Sequence, residues 1–471
     1  MTWLLWTPAG LVALLLANRS GVGYYLAVAT IRRDRELARS NFQAARIRRR
    51  WHRLARNLGL ALVDRTETVH GTGVAATPKV KVVHTVPRLR AIPDAYGVRV
   101  TLKTVPGVGL VEVQKASRHL SDAWLSVRVA VTQPEPGKLV VRAVRRDPLA
   151  VKTSFTPDVK ALQAPTDLRT VEIGMDEYAE PVDIRLDGVS GIGIYGLPGA
   201  GKSSLINGLF VRLSPSPAVQ FVVFDGKTDD PANGDYCDLV DRIAMLVGDD
   251  LDEANEVLGK LVEHRKARAR SIRAVLGVKN VWHVGPSPDW PLIIINIDEA
   301  HTYFSQVKDG GDKELKARNA KAAQNVMLVE DLVKKGRSVG MLTILATQKG
   351  TGDAIPTQIR DVCAVSLAFA CRTIEAAVAA LGDDIRQYPE ANPVGLQGEQ
   401  YIGVCSMVVI GRPGYTRVRT PFVDERVTAE VAALTRTLVP ARGQLPALRV
   451  PALTAAAVDV DGLPAGKDDD D

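Results

Sequence analysis

Cysteine is scarce in this sequence. Four residues in 471, Cys237, Cys363, Cys371 and Cys405, lie scattered, and no Cys-x-x-Cys pair occurs. That excludes a disulfide framework and a cysteine zinc site, and it fits a reducing compartment. No internal repeat runs through the chain, which sets repeat architectures aside, and the 27 prolines mark boundaries rather than a period. No lysine or arginine precedes the first apolar run, which argues against a cleaved signal peptide. What is present suits a globular protein of two or three domains: 46% hydrophobic residues and a formal net charge of +7. The positive balance leans toward an anionic partner, nucleic acid or membrane lipid.

The amino terminus is apolar in two pieces. Trp3–Ala17 reads WLLWTPAGLVALLLA, Asn18, Arg19 and Ser20 interrupt it, and Gly21–Ile31 is apolar again. Fifteen helical residues rise only about 22 Å, short of a roughly 30 Å hydrocarbon core. Residues 3–31 together are long enough, so one tilted or broken span is expected, with a buried helix or an interfacial anchor as the alternative. Ten arginines follow between Arg32 and Arg56, against Asp34 and Glu36. Such a run after an apolar stretch places the downstream chain in the cytoplasm and a basic helix on anionic lipid. The alternative is a solvated basic helix with an apolar stripe at Trp51, Leu54 and Leu58.

Between about Val80 and Arg146 the pattern changes. VKVVHTV, GVRVTLKTV, VRVAVTQ and LVVRAVRR read as strands, and VEVQKASRHLSDAWL between the second and third reads as a helix with Val113, Leu120 and Trp124 inward. This predicts a small α+β module without a catalytic constellation. His84 and His119 have no partners at metal spacing. A Pro-punctuated linker follows, to about Thr170.

The next motif carries chemistry. Gly196-Leu197-Pro198-Gly199-Ala200-Gly201-Lys202-Ser203 matches G-x-x-x-x-G-K-[ST], after an apolar run and before SLINGLFVRL with its helical apolar spacing. Residues Gly196–Ser204 are therefore expected to hold ATP. The glycine backbone wraps the phosphates, and the helix amino terminus adds positive potential. Lys202 reaches the outer phosphates and Ser203 ligates Mg²⁺. Downstream, the apolar run PLIIINIDEAH ends in Asp298 and Glu299. Asp298 is expected to hold the metal through water, and Glu299 to polarise the attacking water. A third strand, MLTILATQ, ends at Gln348, a γ-phosphate sensor or a plain strand-end amide. Strands beginning near Ile192, Gln220, Pro291, Met341 and Asp361 alternate with helices, which predicts a parallel α/β sheet with the site at its carboxyl edge.

From about Val171 to Val427 the chain resembles the FtsK/SpoIIIE family of DNA-pumping ATPases. Beyond the two nucleotide motifs, the likeness rests on VVFDGK, with Asp225 and Lys227, which is similar to the family's IDPK. It rests also on EDLVKKGRSVGMLTILATQ with Arg337, on CRTIEAAVAALG, and on RVRTPFVDERV. The layout before the motor resembles the actinobacterial plasmid and integrative-element members that transfer double-stranded DNA between cells. The resemblance implies a RecA-like P-loop motor, ATP and Mg²⁺, a homo-oligomeric and hexameric ring, a double-stranded DNA cargo, and contact with membrane lipid and other transfer proteins. It implies that Lys334, Lys335 and Lys349 grip phosphates or are merely solvated. It implies further that Arg337 or Arg372 completes a neighbour's site, with a local salt bridge as the alternative for Arg337. Two departures stand out: DGK replaces DPK, and the Ala- and Pro-rich stretch after Val427 shows no three-helix reader pattern.

The expected organisation is a membrane anchor (1–31), an Arg-rich helical segment (32–64), a small α+β domain (65–150), a linker (151–170), an α/β P-loop motor (171–427) and a tail (428–471). The expected function is a membrane-anchored, ATP-driven translocase of double-stranded DNA in conjugative transfer. Chromosome segregation at division, a protein-secretion motor and a nucleotide-gated membrane scaffold are the alternatives.

Overall fold

The structure is a computed structural model that describes residues 35–70, 77–308, 310–348, 354–412, 414–440 and 443–446. The proposed anchor (1–31) and Lys349 lie outside the described residues. Among those described, no helix is long and apolar enough to cross a membrane. The chain divides into two compact units. One takes in the described residues up to Lys152 with Gly174–Val182 and Arg417–Arg419; the other takes in Thr153–Ile173, Asp183–Thr416 and the described residues from Thr420 onward.

The first unit opens with helix α1 (Arg35–Asn57). Ala44, Ile47, Trp51 and Ala55 recur every three or four residues and are buried, while Arg49, Arg50, Arg53 and Arg56 face outward. That spacing makes one apolar stripe on an otherwise basic helix. Strands β1 (Leu62–His70) and β2 (Thr77–Thr85) form an antiparallel pair. Strands β3 (Arg88–Pro93), β4 (Gly97–Lys103), β5 (Arg128–Glu135) and β6 (Lys138–Val144) form an antiparallel sheet in the order β3-β4-β6-β5. Helices α2 (Leu110–Lys115) and α3 (Ser117–Trp124) stand where one helix was expected, and the break falls at Ala116. Val113, Leu120 and Trp124 are buried as the pattern required. The α1 stripe joins the same core: Trp51 donates to Pro87 O at 2.7 Å, and its ring lies 6.2 Å from that of Trp124. The Arg-rich segment is thus part of the α+β domain rather than a separate element.

The second unit, with the parts of β8, β9 and β17 that belong to the first, adds β7 (Ser154–Phe155), β8 (Thr170–Asp176), β9 (Pro181–Arg185), β10 (Gly191–Tyr195), β11 (Val219–Asp225), β12 (Ile243–Val247), β13 (Leu292–Asp298), β14 (Met341–Thr347), β15 (Val365–Ala368), β16 (Val404–Val408), β17 (Tyr415–Arg419) and β18 (Phe422–Val423). Its helices are α4 (Lys202–Leu213), α5 (Leu251–Leu276), α6 (His301–Phe304), α7 (Lys313–Lys335), α8 (Thr357–Arg360), α9 (Ile374–Leu381) and α10 (Glu425–Thr435). The main sheet runs β12-β11-β13-β14-β10-β15-β16-β17-β8-β9. The first six strands are parallel, whereas β16 runs antiparallel to β15 and β17 antiparallel to β8. The five strands expected to run parallel do so, and antiparallel members extend the sheet beyond them. Every residue of β11, β13 and β14 is buried, because helices cover both faces of a parallel sheet; this is why these strands read as unbroken apolar runs.

Two expected boundaries shift. The linker pairs β7 with β18 and packs Val159 and Leu162 beside Val423, Val427 and Val431. Helix α10 runs through the expected boundary at 427, since its Val427 and Val431 are buried against Val211 of α4. Apolar contacts, which composition alone does not locate, hold both segments in the motor unit.

Candidate nucleotide-binding site

The chain leaves β14 and reappears as β15 on the other side of β10, so β10 marks the point where the strand order reverses. In a parallel sheet such a point opens a crevice at the carboxyl ends of the strands. The loop Gly196–Gly201 leaves β10 there. Gly196 N donates to Thr347 O (3.3 Å), Leu197 N to Ala370 O (2.8 Å) and Gly403 N to Ala200 O (2.9 Å), which straps the loop to three strand ends. Gly196 has φ +145°, and a Cβ there would lie 2.7 Å from Phe369 Cβ; Gly201 has φ +115° and the Gly403 backbone at 3.0 Å. Only glycine fits these two positions.

Helix α4 starts at Lys202. Its ammonium donates to Gly196 O (2.7 Å) and Leu197 O (3.2 Å). Burial pushes the Lys202 pKa down, while the carboxylates of Glu299 and Asp298 oppose that push. Ser203 Oγ faces Asp235 Oδ2 at 3.4 Å and Lys227 Nζ at 3.4 Å. Ser204 does not turn toward the site: its hydroxyl accepts from Val423 N at 3.0 Å.

Asp298 ends β13 beside Asp225 of β11 in parallel register. The Asp298 carboxylate is fully buried and takes three donors: Glu299 N (2.9 Å) on Oδ1, and Lys227 Nζ (2.9 Å) and Tyr236 OH (3.0 Å) on Oδ2. Burial, then the Asp298 charge, drives the Tyr236 hydroxyl well above its ordinary range, so it remains a donor. Asp225 accepts from Lys227 N (3.3 Å) and Asp235 N (2.9 Å), and burial raises its pKa. It thereby folds the segment after β11 back over Ser203.

Glu299 is the outlier of the site. It is a buried non-glycine residue at φ +49°, and no hydrogen-bond donor among the described residues satisfies either carboxylate oxygen. His301 Nδ1 stands 3.1 Å from Oε2 but is not aligned as a donor. A strained backbone holding a buried acceptor without a donor costs stability, and such costs concentrate at reacting centres.

The structure brings together Gly196–Ser203, Asp298, Glu299 and Gln348. The half-buried Gln348 follows Thr347, which pairs with Tyr195 at the root of the loop. Arg337 is not among them. It precedes β14, whereas the loop follows the parallel β10, so it lies at the opposite edge of the sheet, exposed, with its carbonyl accepting from Trp282 Nε1 at 3.0 Å. Lys334 and Lys335 lie at that same amino edge, ion-paired to Glu330 and Asp331 one turn earlier on α7. Exposed Arg372, by contrast, follows β15 at the carboxyl edge, two residues after Ala370. Sequence reasoning missed Asp235, Tyr236 and His301. His301 was adjacent to the strand-end acids; nothing in the spacing of Asp235 and Tyr236 marks them.

This sheet order, loop and strand-end acid pair define a P-loop nucleotide-binding α/β fold of the RecA-like kind. Comparison with known proteins agrees. No family model matches the chain. It is 24% identical over 317 residues to the DNA translocase FtsK of Vibrio vulnificus, a match covering 60% of this chain and 30% of that protein. It is 26% identical over 287 residues to the DNA translocase FtsK of Leptospira interrogans serovar Lai, covering 56% of this chain and 27% of that protein. The matches thus span under a third of the length of these relatives. Among solved structures, the pCW3 conjugation coupling protein TcpA, in its monomer form with ATPγS, superposes with a TM-score of 0.51 at 15% identity, over 75% of this chain and 94% of that one. The chain is thus similar to FtsK-type DNA translocases and to a conjugation coupling protein, the likeness that its motifs implied.

Proposed function

We propose that this protein is an ATP-driven translocase of double-stranded DNA that works in conjugative transfer. The observation that carries the reading is Glu299, a buried, strained carboxylate without a donor, at the strand end beside a complete phosphate loop. A nucleotide-gated scaffold has no use for a water-activating acid kept at such a cost. In this reading the backbone of Gly196–Ser203 and Lys202 hold the phosphates, Glu299 orients the attacking water, and Gln348 reports on the terminal phosphate.

The residues present fit Mg²⁺. Ser203 Oγ and Asp298 Oδ2 already face one cation, the Lys227 ammonium, at 3.4 and 2.9 Å. Ser203 would hold the ion directly and Asp298 through water. When bound, the ion neutralises charge on the phosphate oxygens. Lys202, kept dry at the loop carbonyls, exchanges those partners for phosphate oxygens.

The names of the relatives, DNA translocases and a conjugation coupling protein, support a DNA cargo. A homo-oligomeric ring would grip the DNA backbone without reading bases. Lys334 and Lys335 stay exposed beside carboxylates one turn earlier and remain the candidates for that grip; Arg337 or Arg372 would complete a neighbouring subunit's site, and Arg372 has the better-placed edge. Duplex, single-stranded and no DNA should be compared for their effect on ATP hydrolysis. Duplex should stimulate with little dependence on sequence; no response to any nucleic acid in assembled protein would overturn the reading. We propose also that residues 1–31 tie the chain to membrane, with the basic face of α1 toward anionic lipid. Complete solubility of the full chain at physiological salt would refute this, and release by high salt alone would assign the attachment to the arginines.

A further inference from the structure

We infer that Lys227 is the resident cation of the metal position: a positioning residue that holds Ser203 and Asp298 in register and must be displaced onto Asp235 when Mg²⁺ arrives with the nucleotide. The inference rests on reading Ser203 and Asp298 as the metal pair.

Three observations carry it. The Asp298 side chain is 1% exposed, and a carboxylate so buried needs a positive partner. Lys227 supplies it at 2.9 Å and reaches Ser203 Oγ at 3.4 Å with the same nitrogen, so one ammonium sits between the two expected metal donors. The same nitrogen also lies 2.6 Å from Asp235 Oδ2, whose side chain is 45% exposed. Asp235 thus offers a second perch toward solvent, a short movement away from the buried carboxylate. The backbone limits other movement: Asp225 accepts from both Lys227 N and Asp235 N, so the two side chains leave the fold as a fixed pair. Burial works against the Lys227 charge, but Asp298 and Asp235 more than offset it and hold the ammonium above its ordinary range.

Two cations cannot share the pocket between Ser203 and Asp298. Mg²⁺ binding therefore carries the cost of moving Lys227, and binding of nucleotide without Mg²⁺ gains from its charge. Removing the ammonium should separate the two effects. The test is fluorescence titration of the full-length protein with a ribose-labelled ATP analogue, with Mg²⁺ varied and with EDTA. Lys227→Met should weaken binding in EDTA and lower the Mg²⁺ concentration for half-maximal binding, by about tenfold, given the size of a single charge interaction at this range. Lys227→Arg should keep the wild-type ratio of the two affinities. Asp235→Asn removes the outer perch, leaves Lys227 on Asp298, and should raise the half-saturating Mg²⁺; its exposure keeps that variant folded should Lys227→Met fail to fold. Equal Mg²⁺ dependence in wild type, Lys227→Met and Asp235→Asn would overturn the inference while leaving the metal pair intact. Wild-type binding indifferent to Mg²⁺ would overturn the metal pair as well.

Discussion

Acidification should find one weak point in the motor unit, His264. It lies on α5, where its Nε2 accepts from Arg268 Nε at 3.0 Å. Arg268 is fully buried, bonded to the carbonyls of Pro291 (2.8 Å), Val339 (3.0 Å) and Gly340 (3.3 Å) at the amino ends of β13 and β14. Burial pulls its pKa down to about 9, so it stays charged at neutral pH. Burial first, and the Arg268 charge second, push the His264 pKa from 6.5 to about 4. The folded protein thus binds fewer protons than the unfolded chain between those two values, so stability present above pH 6.5 is lost as pH falls toward 4. At about 1.4 kcal/mol per unit, the loss from this one group reaches about 3 kcal/mol at pH 4. Glutamine keeps an acceptor for Arg268 and cannot titrate. Urea unfolding of wild type and His264→Gln at pH 7 and pH 4 should show wild type losing about 3 kcal/mol more than the variant. Because the carboxylates and the remaining histidines titrate in both proteins, parallel pH curves would show that His264 is not the source of the loss.

Two other expectations are quickly checked. Glu299→Gln should retain nucleotide binding and lose turnover by at least about a hundredfold, the usual yield of a positioned base, whereas Lys202→Ala should weaken binding itself; near-normal turnover in Glu299→Gln, by phosphate release, would remove Glu299 from its role. Burial pushes the thiol of Cys371 up to about 11 and those of Cys363 and Cys405 up to about 12, so brief alkylation at pH 8 followed by peptide mass spectrometry should mark the half-exposed Cys237 first. Equal labelling of Cys405 would contradict the packing around it.

What the sequence disclosed follows from where the physics is local. The phosphate loop is legible because Gly196 and Gly201 answer backbone demands set within a few residues, and β13 and β14 because burial on both faces leaves an apolar run. The stripe on α1 gave its inward side at Trp51 correctly, but not its destination, a core made with Trp124 far along the chain. The direction of the sheet's antiparallel members, β16 and β17, was not legible because short apolar segments carry no mark of direction. Where Arg337 stands was not legible for the same kind of reason: its closeness in sequence to Gln348 hides the length of β14 between them, which puts the two at opposite edges of their own sheet. Asp235 and Tyr236 reach the site through a loop after β11 whose path Asp225 fixes by accepting from Asp235 N, a tertiary hydrogen bond without a sequence pattern.

The proposed function requires that hydrolysis at this site move the protein along duplex DNA. Displacement of a labelled third strand from a triplex placed at the end of a long duplex measures it directly. Release should require ATP, appear after a lag that grows with the length of duplex between the loading region and the triplex, occur on unrelated sequences alike, and vanish in Glu299→Gln. Release without ATP, or no release by assembled protein that hydrolyses ATP on the same duplex, would contradict it.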